Sequence, residues 1–398
     1  MLVTHWGLLM EFQAPLDLAE SRAKWSLPLE NKSGRPDHFS VDRIFLAKGS
    51  LTTQKRRIFV ERICRLYPKA EIVECQDTPH NRVDLGEADA MKRHNKGKHT
   101  LVFGELGDSV RFSNEEGNTC PNYWHFSPYG FCPYGCKYCY LAGTTGVFFS
   151  PTVKVFVNLD DMLRKIDATA HHLGTPTSFY LGKLQDGLAL DPMTGYSSVL
   201  VPFFAQHPFA RQVLLTKSKE VEGLLNLSHN KRTILSWSLN PPALAAAFEE
   251  NVPTVEERLS AMRLCADAGY PVRAVIMPVI PVPDWRTLYR EFVDELLSTL
   301  PIERLTIGGI CSYRKAQSLM DGKLGPRNVV SDSIVRTGKA ADGRMRYSPT
   351  MRAEMYRDII GVAGSVAPDC ELALCLEERA VWEAVGLAAS IGRCNCVL

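Results

Sequence analysis

Three closely spaced cysteines offer the clearest chemistry in the chain. In FCPYGCKYCYL they stand at Cys132, Cys136 and Cys139, a CxxxCxxC spacing. Thiolates select soft metals, above all zinc and iron–sulfur clusters. Pro133 and Gly135 suit an irregular loop that wraps an ion or cluster. A structural zinc site closes with four ligands. No fourth thiol or histidine follows the triplet nearby, and His125 ahead of it falls in an apolar strand pattern. Three thiolates on a four-iron cluster leave one iron free to bind another molecule. A zinc site, or thiols that are merely buried, are the competing readings. A second group comprises Cys370, Cys375, Cys394 and Cys396, the last two in GRCNCVL. As a flexible two-thiol tail, Cys394 and Cys396 could reach the mouth of a site. There they could hold a soft metal, a metalloid or a second cluster, or act as a redox relay. The alternative is two incidental exposed thiols. Cys370 and Cys375 flank the apolar ELAL and read as buried.

These side chains need a scaffold, and the hydrophobic periodicity supplies one. After Cys120, apolar strands alternate with amphipathic helices. Expected strands are Trp124–Ser127, Ser178–Gly182, Gln212–Thr216, Thr233–Leu239, Val272–Met277 and Leu305–Gly309. Expected helices are Leu159–His172, Ser197–Gln206, Lys219–Leu225, Val255–Ala268 and Trp285–Leu297. This predicts an α/β fold with a parallel sheet, six units making a partial (β/α)6 barrel rather than a closed eightfold one. The triplet follows the first of these strands, at the end where such folds place their chemistry. Ahead of the barrel, residues 41–119 read as a small α/β region. Its strands are Ile44–Ala47, Glu71–Cys75 and Thr100–Gly104, with a helix over Thr53–Leu66 and a basic loop holding Lys92, Arg93, Lys96 and Lys98. Residues 1–40 read as weakly ordered, 120–310 as the barrel, and 311–398 as a C-terminal extension. In that extension Cys311–Gly343 reads as a long loop, Pro349–Val366 and Glu377–Val385 as helices, and Glu371–Cys375 as a strand.

Composition narrows the function classes. The 398 residues are 45% hydrophobic and 23% charged, which excludes a disordered or fibrous chain. Lys plus Arg number 46 against 44 Asp plus Glu, a net charge of +2. That balance argues against a polybasic protein held on nucleic acid by bulk charge, though a local basic groove remains open. Twelve cysteines in a chain of this length point to a reducing compartment, hence the cytoplasm, and to a metal or redox role. No apolar run is long enough for a membrane span. The first 15 residues lack a basic n-region and meet Glu11 early, which makes a poor signal peptide.

The triplet, the aromatic after it and the strand–helix repeat resemble the radical S-adenosylmethionine (SAM) enzymes. The resemblance implies a 4Fe-4S cluster on Cys132, Cys136 and Cys139, with SAM chelated by the open iron. An external one-electron reductant would start SAM cleavage to methionine and a 5′-deoxyadenosyl radical. From about Val41 to Gly309 the sequence is similar to the spore photoproduct lyase family. The shared features are TPHNRV, KHTLVFGE, YCYL, LQDGLALDPMTG, LTKSKEV and LSWSLN, in that order. By this resemblance Tyr138 and Tyr140 assist hydrogen-atom return, or else simply pack over the cluster. Lys217 would pair with the SAM carboxylate. Ser238 and Asn240 would bond its methionine or ribose groups, and Asp186 would accept hydrogen bonds from it. Asp191 and Thr194 belong to the same matching segment. Each of these residues could instead cap a helix or shape a turn. In PTVEERL, Glu256, Glu257 and Arg258 stand at a helix start, where acidic residues are also ordinary N-terminal charges.

One position departs from the family pattern. A cysteine just before the matching aspartate donates a hydrogen atom in the spore lyase, and Lys183 occupies that place here. Lysine cannot do this, so Cys311, Cys265 or Tyr140 would have to substitute, with Cys265 better read as core. GRMRYSPTMRAEMYRDII and ALCLEERAVWEAVG resemble lyase-like bacterial proteins outside sporulation. The leading expectation is a radical SAM enzyme acting on a pyrimidine lesion in damaged DNA. Lys55, Arg56 and Arg57, with the Lys92–Lys98 segment, would then touch phosphates, or else form solvated faces. A second expectation keeps the cofactor but takes a small molecule, peptide or thiophilic metalloid. In it the C-terminal cysteines engage the substrate or a second cluster, and SAM could donate an aminocarboxypropyl fragment. A third is a non-catalytic, zinc-stabilised nucleic-acid-binding protein.

Overall fold

The computed structural model describes residues 25–30, 34–115, 117–335 and 342–398. Most of the segment expected to be weakly ordered, and the N-terminal stretch read against a signal peptide, lie outside these residues. Within them, Trp25 and Leu27 are buried in the main core.

Two sheets organise the chain. The first contains β1 (Arg43–Ala47), β2 (Glu71–Cys75) and β3 (Thr100–Gly104). The second begins with β4 (Val110–Ser113) and β5 (Tyr123–Phe126). The chain then returns to the first sheet with β6 (Tyr129–Gly130) and β7 (Val153–Phe156), giving the order β2-β1-β3-β7-β6. The first sheet therefore draws strands from both sides of residue 120. The second continues with β8 (Thr177–Leu181), β9 (Ala210–Thr216), β10 (Thr233–Leu239), β11 (Val272–Ile276), β12 (Ile302–Ile307) and β13 (Glu371–Leu374). Its order is β13-β12-β11-β10-β9-β8-β5-β4. All neighbours pair in parallel except β4, which runs antiparallel to β5. The six expected barrel strands are present in sequence order, and β13 adds a further parallel strand. Because β4 and β13 end the sheet rather than pairing, the barrel is partial.

The central strands β10 and β11 are buried along their whole length, as a sheet covered on both faces requires. On the outside, Leu159–Leu173 and Trp285–Thr299 lay apolar stripes against the sheet. The helix Val255–Asp267 begins in a capping box formed by Thr254 and Glu257, so Glu257 serves as a cap.

Three expectations need correction. The basic segment expected as a loop is the helix Ala90–Lys98, started by the Asp89 side chain on Lys92 N. Its inner face is His94, Gly97 and Lys98, which carries no apolar signature. The stretch 311–343 contains two helices, Arg314–Leu324 and Val329–Ser333. Conversely, 219–225 forms turns rather than a helix. Val221 and Leu224 are buried one helical turn apart, which imitates a helix in sequence. The Thr216 and Ser218 hydroxyls instead accept from Ser218 N and Glu220 N and hold the backbone in turns.

Candidate active site

The thiol-bearing loop is fixed from two sides. Gly135 N and Lys137 N donate to Glu250 O (2.7 Å) and Phe248 O (2.8 Å). A Cβ on Gly135 would lie 2.9 Å from Glu250 O, so glycine permits this approach. From the other side, Lys98 Nζ donates to Cys132 O and Tyr134 O, both at 2.6 Å. Lys98 is buried and holds the loop, so it is not free for phosphate. Arg56 is likewise engaged, by Gly49 O, Thr52 and Glu105. Of the basic residues singled out from sequence, Lys55, Arg57 and Lys92 are exposed without such a bond.

After Cys139 the chain makes a short 3-10 turn, Tyr140–Gly143, against the helix Arg314–Leu324. A Cβ on Gly143 would stand 2.4 Å from Ala316 N and 2.6 Å from Ala316 Cβ. Gly143→Ala is therefore expected to force the helix away and destabilise the fold by about 1–3 kcal/mol, read by denaturant unfolding. An unchanged midpoint would show that this contact is slack.

Cys132, Cys136 and Cys139 open into a cavity of about 300 Å³ inside the barrel. Tyr138, Tyr140, Lys183, Asp186, Lys217 and Ser238 also line it. Burial pushes the Cys136 thiol up to about 12 and raises Cys132 as well. Such thiols become thiolates only when a cation takes the proton's place, which suits a metal or cluster rather than a free nucleophile.

Behind the cavity wall a carboxylate missed in the sequence gathers two of the lining groups and a buried arginine. Glu249 accepts from Lys217 Nζ (2.8 Å), Arg258 Nη2 (2.5 Å) and the Tyr138 hydroxyl. Lys217 Nζ also donates to Ser238 Oγ at 2.8 Å. Burial alone would raise the Glu249 carboxyl; Lys217 and Arg258 outweigh it and hold it down at about 2. Arg258 is thus an internal partner, tied further to Pro253 O and Ser238 O.

Asp186 lies at the end of this network. It accepts from Leu188 N, Ala189 N, Thr216 Oγ1 and Lys217 N at 2.6–3.0 Å, so its local bonds fix the backbone at Lys217. Asp191 similarly receives Ser197 N, and Thr194 Oγ1 meets the Tyr129 hydroxyl. Asn240 is not brought to the cavity wall; its Oδ1 accepts from the Tyr289 hydroxyl at 2.8 Å.

A second carboxylate missed in the sequence, Glu115, sits across the cavity. It accepts from Lys183 Nζ (2.8 Å) and from both terminal nitrogens of Arg344 (3.0 Å each). The Tyr140 hydroxyl donates to Lys183 O at 3.1 Å. Cys311 is buried on the cavity wall, whereas Cys265 is packed in the main core.

The expected flexible, exposed tail is neither. Cys394 and Cys396 are buried at 2% and 9% exposure and pack on Tyr123, Tyr180, Val213 and Ile234. Arg304 Nη1 donates to Cys394 O (2.6 Å), Arg273 Nη1 to Val397 O (2.6 Å) and Ser178 Oγ to Cys396 O (3.1 Å). These bonds seat the segment across the barrel interior, with both thiols in the cavity wall. Cys375 joins them there, as does Cys120, which the sequence did not suggest.

Comparison with known proteins was decisive for kinship. The family model for spore photoproduct lyase matches residues 39–308. The chain belongs to the spore photoproduct lyase family. A spore photoproduct lyase of Geobacillus sp. (strain Y412MC61) is 30% identical over 232 residues, 56% of this chain and 65% of that protein. Its counterpart in Bacillus subtilis (strain 168) is 26% identical over 229 residues, 57% of this chain and 65% of that protein. The alignments thus span just under two thirds of these relatives. A solved spore photoproduct lyase complexed with dinucleoside spore photoproduct superposes with a TM-score of 0.74 at 21% identity, covering 86% of this chain and all of that one. A double mutant with bound AdoMet and dinucleoside spore photoproduct gives 0.73 at 21% identity, over 85% and 99% of the two chains. The fold is that of the family. The match to the family model ends at 308, so Cys311, Arg344, Cys375, Cys394 and Cys396 lie beyond it.

Among the described residues no helix is long and apolar enough to cross a membrane.

Proposed function

We propose that this chain is a radical SAM enzyme of the lyase-like type. The observation that carries this reading is the convergence of the three-thiol loop, Lys217 and the two tyrosines on one cavity. Cys132, Cys136 and Cys139 would hold a 4Fe-4S cluster, and their loop is already docked without it. When bound, the cluster and SAM supply reductive cleavage of SAM to methionine and a 5′-deoxyadenosyl radical, with an external reductant giving the electron. Lys217 would pair with the SAM carboxylate, helped by Ser238. Glu249 keeps the Lys217 amine aimed, and Asp186 sets the backbone from which it projects. The Tyr138 and Tyr140 hydroxyls are fixed on Glu249 and on Lys183 O, so both rings stand in defined positions beside the thiols.

For the substrate, family membership supports a pyrimidine lesion in DNA. The exposed cations Lys55, Arg57 and Lys92 would then supply phosphate contacts. A second reading, a substrate other than DNA, is supported by Lys183. By the sequence resemblance it would stand where the spore lyase carries its hydrogen-donor cysteine, and its amine is committed to Ser113 and Glu115.

Anaerobic incubation with SAM and reductant tests both readings. The expected products are methionine and 5′-deoxyadenosine, with turnover raised by ultraviolet-damaged DNA on the first substrate reading and indifferent to it on the second. Methylthioadenosine would replace the radical reading with aminocarboxypropyl transfer. A colourless, zinc-containing protein with no SAM cleavage would overturn the proposal.

A further inference from the structure

Across the cavity from the triplet lies a second set of thiols, drawn from three separate parts of the chain. Cys120 precedes β5, Cys375 follows β13, and Cys394 and Cys396 sit on the segment clamped by Arg273 and Arg304. Cys394 is the common member, in contact with the thiols of Cys120, Cys375 and Cys396. Four thiols around one central sulfur, all on the wall of one cavity, are not an economical way to fill apolar space. Cysteine's weak S–H donor adds little to packing, so polar contacts among these thiols do not explain their grouping.

Two further atoms face the same space without partners. Asn395 Nδ2 and Thr306 Oγ1 are buried, on residues 4% and 0% exposed, with no hydrogen-bond partner. Both residues line or adjoin the thiols on the cavity wall. A buried amide and hydroxyl left unsatisfied call for a polar or ionic occupant.

The other candidate ligand cluster does not compete. Among the described residues, Asp167, His171 and His207 form a compact group. However, His207 Nδ1 accepts from Phe209 N and Ala210 N, which places its proton on Nε2, facing Asp167 Oδ1. That nitrogen has no lone pair for a metal.

We infer that Cys120, Cys375, Cys394 and Cys396 form a second metal site, which takes a single soft d10 cation of the zinc class. A single ion suits the set better than a second cluster. Tetrahedral bonds of about 2.3 Å put sulfurs about 3.8 Å apart, the range of a thiol–thiol hydrogen bond, whereas a cluster must spread its thiolates around a cube. The four sulfurs are a hub and three spokes rather than a closed cage, so the outer thiols turn inward as the ion binds and their protons leave. Arg273 and Arg304, both buried beside the segment, offset the negative charge of the ligands. The site is independent of the radical reading, since none of its ligands belongs to the triplet.

The test uses the full chain carrying Cys132→Ala, Cys136→Ala and Cys139→Ala together, which removes the competing thiols. Anaerobic equilibrium dialysis against Zn2+ is expected to leave one ion per chain, with proton release on binding. Adding Cys394→Ser should weaken binding by more than the about 10- to 100-fold typical of a lost outer partner. Cys375→Ser, at the end of an edge strand, provides a second variant if Cys394→Ser does not fold. Failure of the triplet-free chain to bind zinc, or wild-type affinity in a folded Cys394→Ser or Cys375→Ser variant, would overturn the inference. Absence of SAM cleavage in the chain with its triplet intact, together with zinc binding by the triplet-free chain, would sink only the radical reading.

Discussion

Replacing any one of Cys132, Cys136 or Cys139 by Ala is expected to abolish SAM cleavage while leaving the fold in place. The loop does not depend on its sulfurs for its shape. Its carbonyls are held by Lys98, and its amides by Phe248 O and Glu250 O. What the thiols supply is ligation, and two ligands do not retain a cluster that three hold through one loop. The expected readout is loss of the broad iron–sulfur absorbance and of 5′-deoxyadenosine, with the unfolding midpoint shifted by less than about 1 kcal/mol beyond the lost cluster. Retained turnover in any of the three variants would refute the cluster assignment. A collapse of stability without metal would show instead that the thiols are structural.

The second large effect is expected at Glu249. Glu249→Gln keeps the side chain's size but leaves Arg258, 1% exposed, without its counter-charge. Removing one partner of a buried pair typically costs about 3–5 kcal/mol, because the remaining charge stays desolvated. Arg258→Met in the same chain should recover part of that loss, which separates the stranded charge from simple misfit. The pH dependence follows from the same carboxylate. Its folded value of about 2 lies below its ordinary 4.5, so its contribution is fully present above about pH 4.5. It is lost progressively as pH falls towards 2. Over that window Glu249 accounts for about 3 kcal/mol of stability, a decline that Glu249→Gln should remove. A variant with an undiminished acid decline would show that other carboxylates carry it.

The parts of this molecule that could be read from sequence are those written locally. The triplet spans eight residues, and strands such as Thr233–Leu239 are continuous apolar runs, so both are visible without knowing the fold. Glu249 and Glu115 are not of that kind. Nothing next to Glu249 in FEENVP distinguishes it from Glu250, which is exposed on the surface. Only the docking of the thiol loop on 247–250 turns one of the two inward. Cys120 carries no local signal for the same reason, because its partners lie more than 250 residues away. The tail looks mobile in sequence because its five polar and small residues, Gly392 to Cys396, show no sign of packing until the arginines of β11 and β12 are placed beneath them. One signal was available: Arg273 stands in the otherwise apolar run VRAVI, and a cation there needs acceptors from elsewhere.

The return of the chain to the first sheet between β5 and β8 has a consequence for where the protein can be cut. The thiol loop leaves from β6 and comes back into β7, and β7 is paired along its other edge with β3. An excised barrel beginning at Cys120 would therefore carry β7 as a bare, wholly buried-type edge of Val153, Val155 and Phe156, open to pairing with any passing strand. It would also lose Lys98, and with it the clamp on Cys132 O and Tyr134 O. The small sheet is thus no detachable module. Shuffling this barrel onto another N-terminal partner would need a replacement that restores both the strand edge and the buried ammonium, which is a demanding condition for any recombinant or evolutionary fusion to meet.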